Sequence, residues 1–135
     1  MYANADGAAR GNPGPAAFGA VVYDANDAEL RALGATIGRG TSNVAEYRGA
    51  IAAVEAALEL GATELELRLD SQLVVRQVQG RYRVRNAALK PLHARLQRAL
   101  DRLEVARVRH VPRAQNSRAD ELANAALDGR LSDVQ

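Results

Sequence analysis

The 135-residue chain has no cysteine and no tryptophan, a single phenylalanine, a single methionine and two histidines. Without cysteine there is no disulfide, no zinc–thiolate centre and no thiol nucleophile. No convincing Ser/His/Asp arrangement takes the thiol's place, so chemistry through a covalent enzyme intermediate has no support. No apolar run is long enough to span a bilayer, and no basic stretch followed by an apolar one opens the chain; a soluble, cytoplasmic protein without a membrane partner is expected. Repeats, low-complexity segments and linkers are also lacking, which predicts one domain over residues 1–128 and a short frayed tail at 129–135. The Gly/Pro-rich stretch "DGAARGNPGP" (6–15) lacks the GK[ST] ending of a phosphate-binding P-loop, so nucleoside triphosphate binding is unsupported.

What is present suffices for a core: 47% of residues are hydrophobic, in a chain of domain size. Net charge is only +2, but it is unevenly spread. Residues 1–70 hold ten acidic and five basic side chains, whereas residues 76–113 hold eleven basic ones against Asp101 and Glu104. A basic second half suits either a polyanionic partner or a solvated helix face, and charge alone does not choose between them.

Periodicity predicts a short strand over 1–5, then strands at 16–24 and 29–38 joined by the turn-forming "DANDA" into an antiparallel hairpin. From Asn43 to Leu60 the pattern is helical, with Tyr47, Ile51, Val54 and Leu58 in one stripe and Gly61 after it. "TELELRL" (63–69) alternates as a strand, 71–79 predicts a short helix ending at Gly80, and 87–103 a longer one with Leu89, Leu92, Leu96, Leu100 and Leu103 in phase. "EVARVRHV" reads as a fifth strand and 116–128 as a last helix. The order predicts an α/β fold: a five-stranded sheet of mixed direction, an antiparallel hairpin plus parallel strands, flanked by helices.

Four acids fall at element ends in this reading: Asp6 ending strand one, Glu46 in the first turn of the long helix, Asp70 ending strand four, and Asp120 in the first turn of the last helix. Each has a purely structural explanation. "NVAE" (43–46) and "SRAD" (117–120) resemble capping boxes, Asp70 would cap the helix after it, and Asp6 would start a turn. Together they mean more, because strand C-termini and helix starts of open α/β sheets converge on the side where such folds bind ligands. Four converging carboxylates repel one another unless neutralised. All-oxygen ligands suit Mg²⁺ or Mn²⁺, and paired divalent ions are a known arrangement for phosphodiester hydrolysis.

"DGAARGNPGPAAFGAVV", "TSNVAEYRGAIAAVEAAL", "LRLDSQLVVRQVQG" and "VPRAQNSRADELANAAL" resemble, in order, the blocks of type 1 ribonuclease H, and the resemblance runs from Tyr2 to about Asp128. It implies the ribonuclease H-like fold and a monomeric endonuclease that cuts the RNA strand of RNA/DNA hybrids by two-metal-ion catalysis, leaving 5′-phosphate and 3′-hydroxyl ends. The metal-binding and catalytic carboxylates would be Asp6, Glu46, Asp70 and Asp120, holding two Mg²⁺, with Mn²⁺ able to substitute. Gly11 and Asn12 in "GNPGP" would approach the minor groove, where 2′-hydroxyls distinguish RNA. Asn43, Ser71 and Gln72 would join the substrate contacts there, and Thr41 would help hold a phosphate of the DNA strand.

Two departures from the family pattern bear on the site. Many members carry a His after the "VPG" or "VPA" turn; here the turn reads "VPRAQN" with none. His110 lies ten residues before Asp120, as the His does in longer-loop relatives, but anchoring on Val111 and Pro112 places it inside strand five. Arg113 is then the residue to take over part of the role, as an always-charged group near the scissile phosphate. Some relatives also have a protruding basic helix rich in Lys and Trp. "GRYRVRNAALKPL" is too short for it, leaving Arg81, Arg83, Arg85 and Lys90 for phosphate contact and Asn4 in phase with Asp6 as a candidate hydrogen-bond partner of the site.

Overall fold

The computed structural model describes residues 1–130. Five strands form one sheet in the order β3–β2–β1–β4–β5: β1 (Tyr2–Ala9), β2 (Gly14–Tyr23), β3 (Glu29–Gly40), β4 (Glu64–Leu69) and β5 (Val105–His110). β1, β2 and β3 are antiparallel neighbours, while β1/β4 and β4/β5 are parallel. Helices α1 (Ser42–Glu59), α2 (Gln72–Val78), α3 (Lys90–Leu100) and α4 (Ser117–Leu127), with a 3-10 turn at Arg113–Asn116, complete the mixed α/β architecture expected from the pattern.

One correction matters for the site. Asp6 does not end β1; the strand runs on to Ala9. β1 pairs with β4 only from Tyr2↔Glu66 to Ala5↔Leu69, yet stays paired with β2 as far as Ala9↔Ala16. Asp6 and Asp70 are therefore the first residues beyond the last β1/β4 pair, facing each other across the fork where the two parallel strands part.

Alternation assigns the faces. Ala3, Ala5, Leu65, Leu67 and Leu69 join Tyr47, Ile51, Val54, Leu96 and Leu100 in the core under α1 and α3. Asn4 and Asp6 take the opposite phase. Two close approaches bring helix backbones onto the strands near Asp6: a Cβ on Gly7 would lie 2.3 Å from the Glu46 nitrogen, and one on Gly19 would lie 2.0 Å from the Ala119 oxygen. Only glycine permits either approach, and together they seat the start of α1 and of α4 beside the same stretch of β1.

Helix starts also differ from expectation. Thr41 caps α1, its Oγ1 accepting from the Val44 N–H at 3.2 Å, and Ser71 caps α2 by accepting from Val74 at 3.3 Å. Asn43 and Asp70 are thus not caps, and α4 begins with no side-chain cap bond. With α1 starting at Ser42, Glu46 lies just past its first turn. At the other end, Gly129 and Arg130 close α4 by donating to the Ala126 and Ala125 carbonyls, so they belong to the helix stop rather than to a frayed tail; residues 131–135 of the expected tail lie outside the described residues. No helix among the described residues is long and apolar enough to cross a membrane.

Candidate active site

The fork between β1 and β4 gathers the carboxylates. One oxygen from each of Asp6, Glu46 and Asp70 lies within 4.8 Å of the others. Asp6 and Glu46 are 5% and 7% exposed, while Asp70 and Asp120 are half-buried. Asp120 lies outside that tight trio but lines the same cleft, of about 440 Å³, with Ser42, Asn43, Ser71, Arg113 and Asn124. Its Oδ1 and its backbone carbonyl both accept from the Asn124 amide, at 3.2 and 3.0 Å.

Local bonds fix this arrangement. The Gly7 N–H donates to Asp6 Oδ1 at 2.9 Å. Asn116, almost wholly buried, donates to the Ala5 carbonyl at 2.8 Å, and Asn4 donates to the Gln115 carbonyl at 3.0 Å. These two amides lace the 3-10 turn carrying Arg113 to β1 beside Asp6. Asn4 is thereby explained: it holds the turn rather than facing solvent.

The electrostatics of the fork are unbalanced. Burial, and then the Asp70 charge, push the Asp6 carboxyl well above the ordinary carboxylate range. Burial, and then neighbouring Asp6, push Glu46 higher still. Among the described residues no Arg, Lys or His forms an ion pair with any of the four acids. Glu46 Oε2 is buried without a hydrogen-bond partner, an expensive state for a group with that much acceptor capacity. An oxygen-only donor set with an orphaned buried carboxylate oxygen fits a hard divalent cation, Mg²⁺ or Mn²⁺.

This has a pH signature. The folded chain keeps protons on Asp6 and Glu46 that the unfolded chain releases above about pH 4. The native state then binds more protons than the unfolded one, so these two groups make the cation-free protein less stable as pH rises through and beyond that range. A divalent cation competes with the same protons. The rise in melting temperature on adding Mg²⁺ should therefore grow between about pH 5.5 and about pH 8.5, by on the order of 5 °C. Thermal melts with and without Mg²⁺ at both pH values test this; an equal rise at both would mean the cation does not displace these protons.

The other expected contacts divide. Asn43 and Ser71 line the acidic cleft, whereas Gly11, Asn12, Thr41 and Gln72 do not. Asn12 Oδ1 accepts from the Ser42 N–H at 3.1 Å, which fastens the "GNPGP" loop, with its cis Asn12–Pro13 bond, to the start of α1. Thr41 sits at that junction as the helix cap. Gln72 lines a separate hollow with His110. The geometry thus puts Arg113, and not His110, in the cleft with the acids. The sequence gives no sign of Gly19, Asn116 or Asn124, and Gly7 reads there only as part of the Gly/Pro stretch, not as the seat of α1. A buried-polar signal exists only for Asn116, and only after folding.

A family model described as "Reverse transcriptase-like" matches residues 4–126. The chain is 46% identical over 128 residues to a ribonuclease HI of Halobacterium salinarum, covering 95% of this chain and 64% of that protein. The crystal structure of RNase H1 from that archaeon superimposes with a TM-score of 0.92, covering 95% of this chain and 97% of the solved one. A bifunctional protein of Mycobacterium tuberculosis is 47% identical over 125 residues, covering 92% of this chain. The chain spans only 34% of the length of that mycobacterial relative. The crystal structure of LC11-RNase H1 in complex with an RNA/DNA hybrid is 41% identical, with a TM-score of 0.90, covering 97% of this chain and 99% of the solved one.

Proposed function

The chain belongs to the type 1 ribonuclease H family, and from that premise we propose that it is an endonuclease that hydrolyses the RNA strand of RNA/DNA hybrids in a two-metal-ion reaction, leaving 5′-phosphate and 3′-hydroxyl ends. The observation that carries the reading is the fork itself: carboxylate oxygens of three acids within 4.8 Å, a buried Glu46 Oε2 with no hydrogen-bond partner, and no cationic side chain paired to the acids. Support for the substrate comes from the LC11 enzyme, solved with an RNA/DNA hybrid.

Asp6, Glu46, Asp70 and Asp120 would hold the ions. When bound, divalent cations supply charge neutralisation at the scissile phosphate and a more acidic attacking water. The protein's own part is positional. The parting of β1 from β4 sets Asp6 against Asp70, the Gly7 contact sets Glu46 over both, and Asn124 orients Asp120. Asn43 and Ser71, on the cleft wall, suit contact with the minor-groove side of the cut strand. Asn12 and Thr41 present the stiff loop beside the start of α1. Arg113, carried on a turn laced by Asn4 and Asn116, places a permanent positive charge at the cleft mouth.

The test is a strand-labelled hybrid incubated with and without Mg²⁺, beside single-stranded RNA and double-stranded DNA. Internal cuts in the RNA strand alone, lost with the metal and in Asp70→Asn, are expected. Hybrid that is bound but uncut in both Mg²⁺ and Mn²⁺ would leave a binding module and end the nuclease reading. In the same assay Arg113→Ala should lower kcat by about tenfold, less than the roughly hundredfold or more lost with a buried charge-stabilising donor, because Arg113 is exposed. Unchanged turnover would remove Arg113 from the site.

A further inference from the structure

β5 ends at His110, the register partner of Leu69, and Leu69 immediately precedes Asp70. The acidic cleft therefore has a neighbour on its β5 side. That neighbour is a hollow of about 220 Å³ lined by Gln72, Arg76, Gln79, Arg81, Arg109 and His110 along with Val75, without one carboxylate.

The hollow is built rather than incidental. The Gln79 amide donates to the Val108 carbonyl at 2.8 Å, pinning the end of α2 to β5. At Gly80, with φ +80°, the chain reverses, and the Arg81 N–H donates to the Arg76 carbonyl at 2.8 Å, so Arg81 is folded back beside Arg76. Arg76 donates to the Tyr82 hydroxyl at 2.8 Å and lies 5.4 Å from the centre of its ring, which holds the guanidinium in place without neutralising it. Arg109 has one acidic neighbour, Glu66 at 3.7 Å, and that carboxylate is already engaged by Arg68. Arg76, Arg81 and Arg109 thus all line the hollow, with little compensating charge.

Position gives this charge a use. Four carboxylates in one cleft repel any polyanion that must enter it, and a cationic pocket on the rim offsets that repulsion where it is felt. A hollow lined by forked donors suits phosphate oxygens, with the Gln72 amide as a neutral donor beside them. We propose that this hollow is a phosphate-binding subsite that grips the hybrid's sugar–phosphate backbone next to the cut position. The inference rests on the hybrid-cleaving function proposed above.

The full-length chain is titrated into a fluorescent RNA/DNA hybrid in EDTA at several salt concentrations, and KM and kcat are measured separately in Mg²⁺. Each phosphate contact contributes roughly 0.7 to 0.9 to the slope of log affinity against log salt. The double variant Arg81→Gln/Arg109→Gln should lower that slope by about one to two and weaken binding by about tenfold near 0.1 M salt, with the catalytic loss falling mainly on KM. Arg102→Gln, which removes one of the same charges just before β5 begins but outside the hollow, should leave the slope alone. Melting temperatures near the wild-type value establish that the variants are folded. Wild-type protein that binds and cuts hybrid, with a double variant of unchanged slope and affinity, overturns this inference alone. Wild-type protein that neither binds nor cuts hybrid defeats the function and the subsite together.

Discussion

Glu46→Gln should abolish turnover and, in the same protein, raise the melting temperature at about pH 8 in the absence of divalent cations. The two effects have one origin. Glu46 is 7% exposed, its Oε2 has no partner, and its carboxyl is held well above the ordinary range by burial and by Asp6. At pH 8 the unfolded chain carries an ionised Glu46, and folding must either take up a proton or bury a charge. Glutamine has the same shape and no such cost. The stabilisation should be small near pH 5 and reach on the order of a few kcal/mol by about pH 8, or several degrees in melting temperature. Activity should fall at least about a thousandfold, since a neutral amide is a poor ligand for a hard cation. Mg²⁺ should reverse the order, raising the wild-type melting temperature well above that of the variant. Equal melting curves for the two proteins at pH 8 without metal would show that the fork stores no electrostatic cost, and the case for a resident cation would lose its main support.

That cost was only partly legible in the sequence. The four acids were visible because strand and helix ends can be counted, and three or four residues of error at an element end still leave them near one side of the sheet. Their local explanations were harder to dismiss: Asn43 and Asp70 each stand within two residues of a hydroxyl side chain able to cap the same helix, and pattern alone does not say which one does. Thr41 and Ser71 take those bonds, leaving Asn43 and Asp70 open to the cleft. The length of β1 was misread for a related reason. Its second half is held by β2 alone, after β4 has turned away, and the small residues of "DGAA" give no strand signal of their own. The hollow between α2 and β5 could not be read at all, because it depends on the register that sets His110 beside Leu69. Arginines spread from position 76 to position 109 suit a polyanionic partner or a solvated helix face equally well in sequence, and nothing in their spacing gathers them into one hollow.

The glycines under the helices were equally silent, and they support the last expected result: Gly19→Ala and Gly7→Ala should each cost about 3 kcal/mol or more. At both positions the added methyl meets backbone: 2.0 Å from the Ala119 oxygen for Gly19, and 2.3 Å from the Glu46 nitrogen for Gly7. Backbone cannot rotate aside, so a helix must move. Gly49 is a milder case, its Cβ falling 2.9 Å from the Asp6 oxygen and 3.2 Å from Phe18 Cβ. Gly38 supplies the contrast, with nothing within 4 Å but a φ of +78°; alanine there should cost only about 1–2 kcal/mol, from backbone strain alone. Denaturant melts should therefore rank the losses as Gly19 and Gly7 above Gly49, with Gly38 smallest. Because the displaced helices carry Asp120 and Glu46, kcat of Gly19→Ala and Gly7→Ala should fall by more than the folded fraction, while Gly38→Ala keeps its activity per folded molecule. Were the four losses alike, the close seating of α1 and α4 on the central strands would not be what positions the carboxylates.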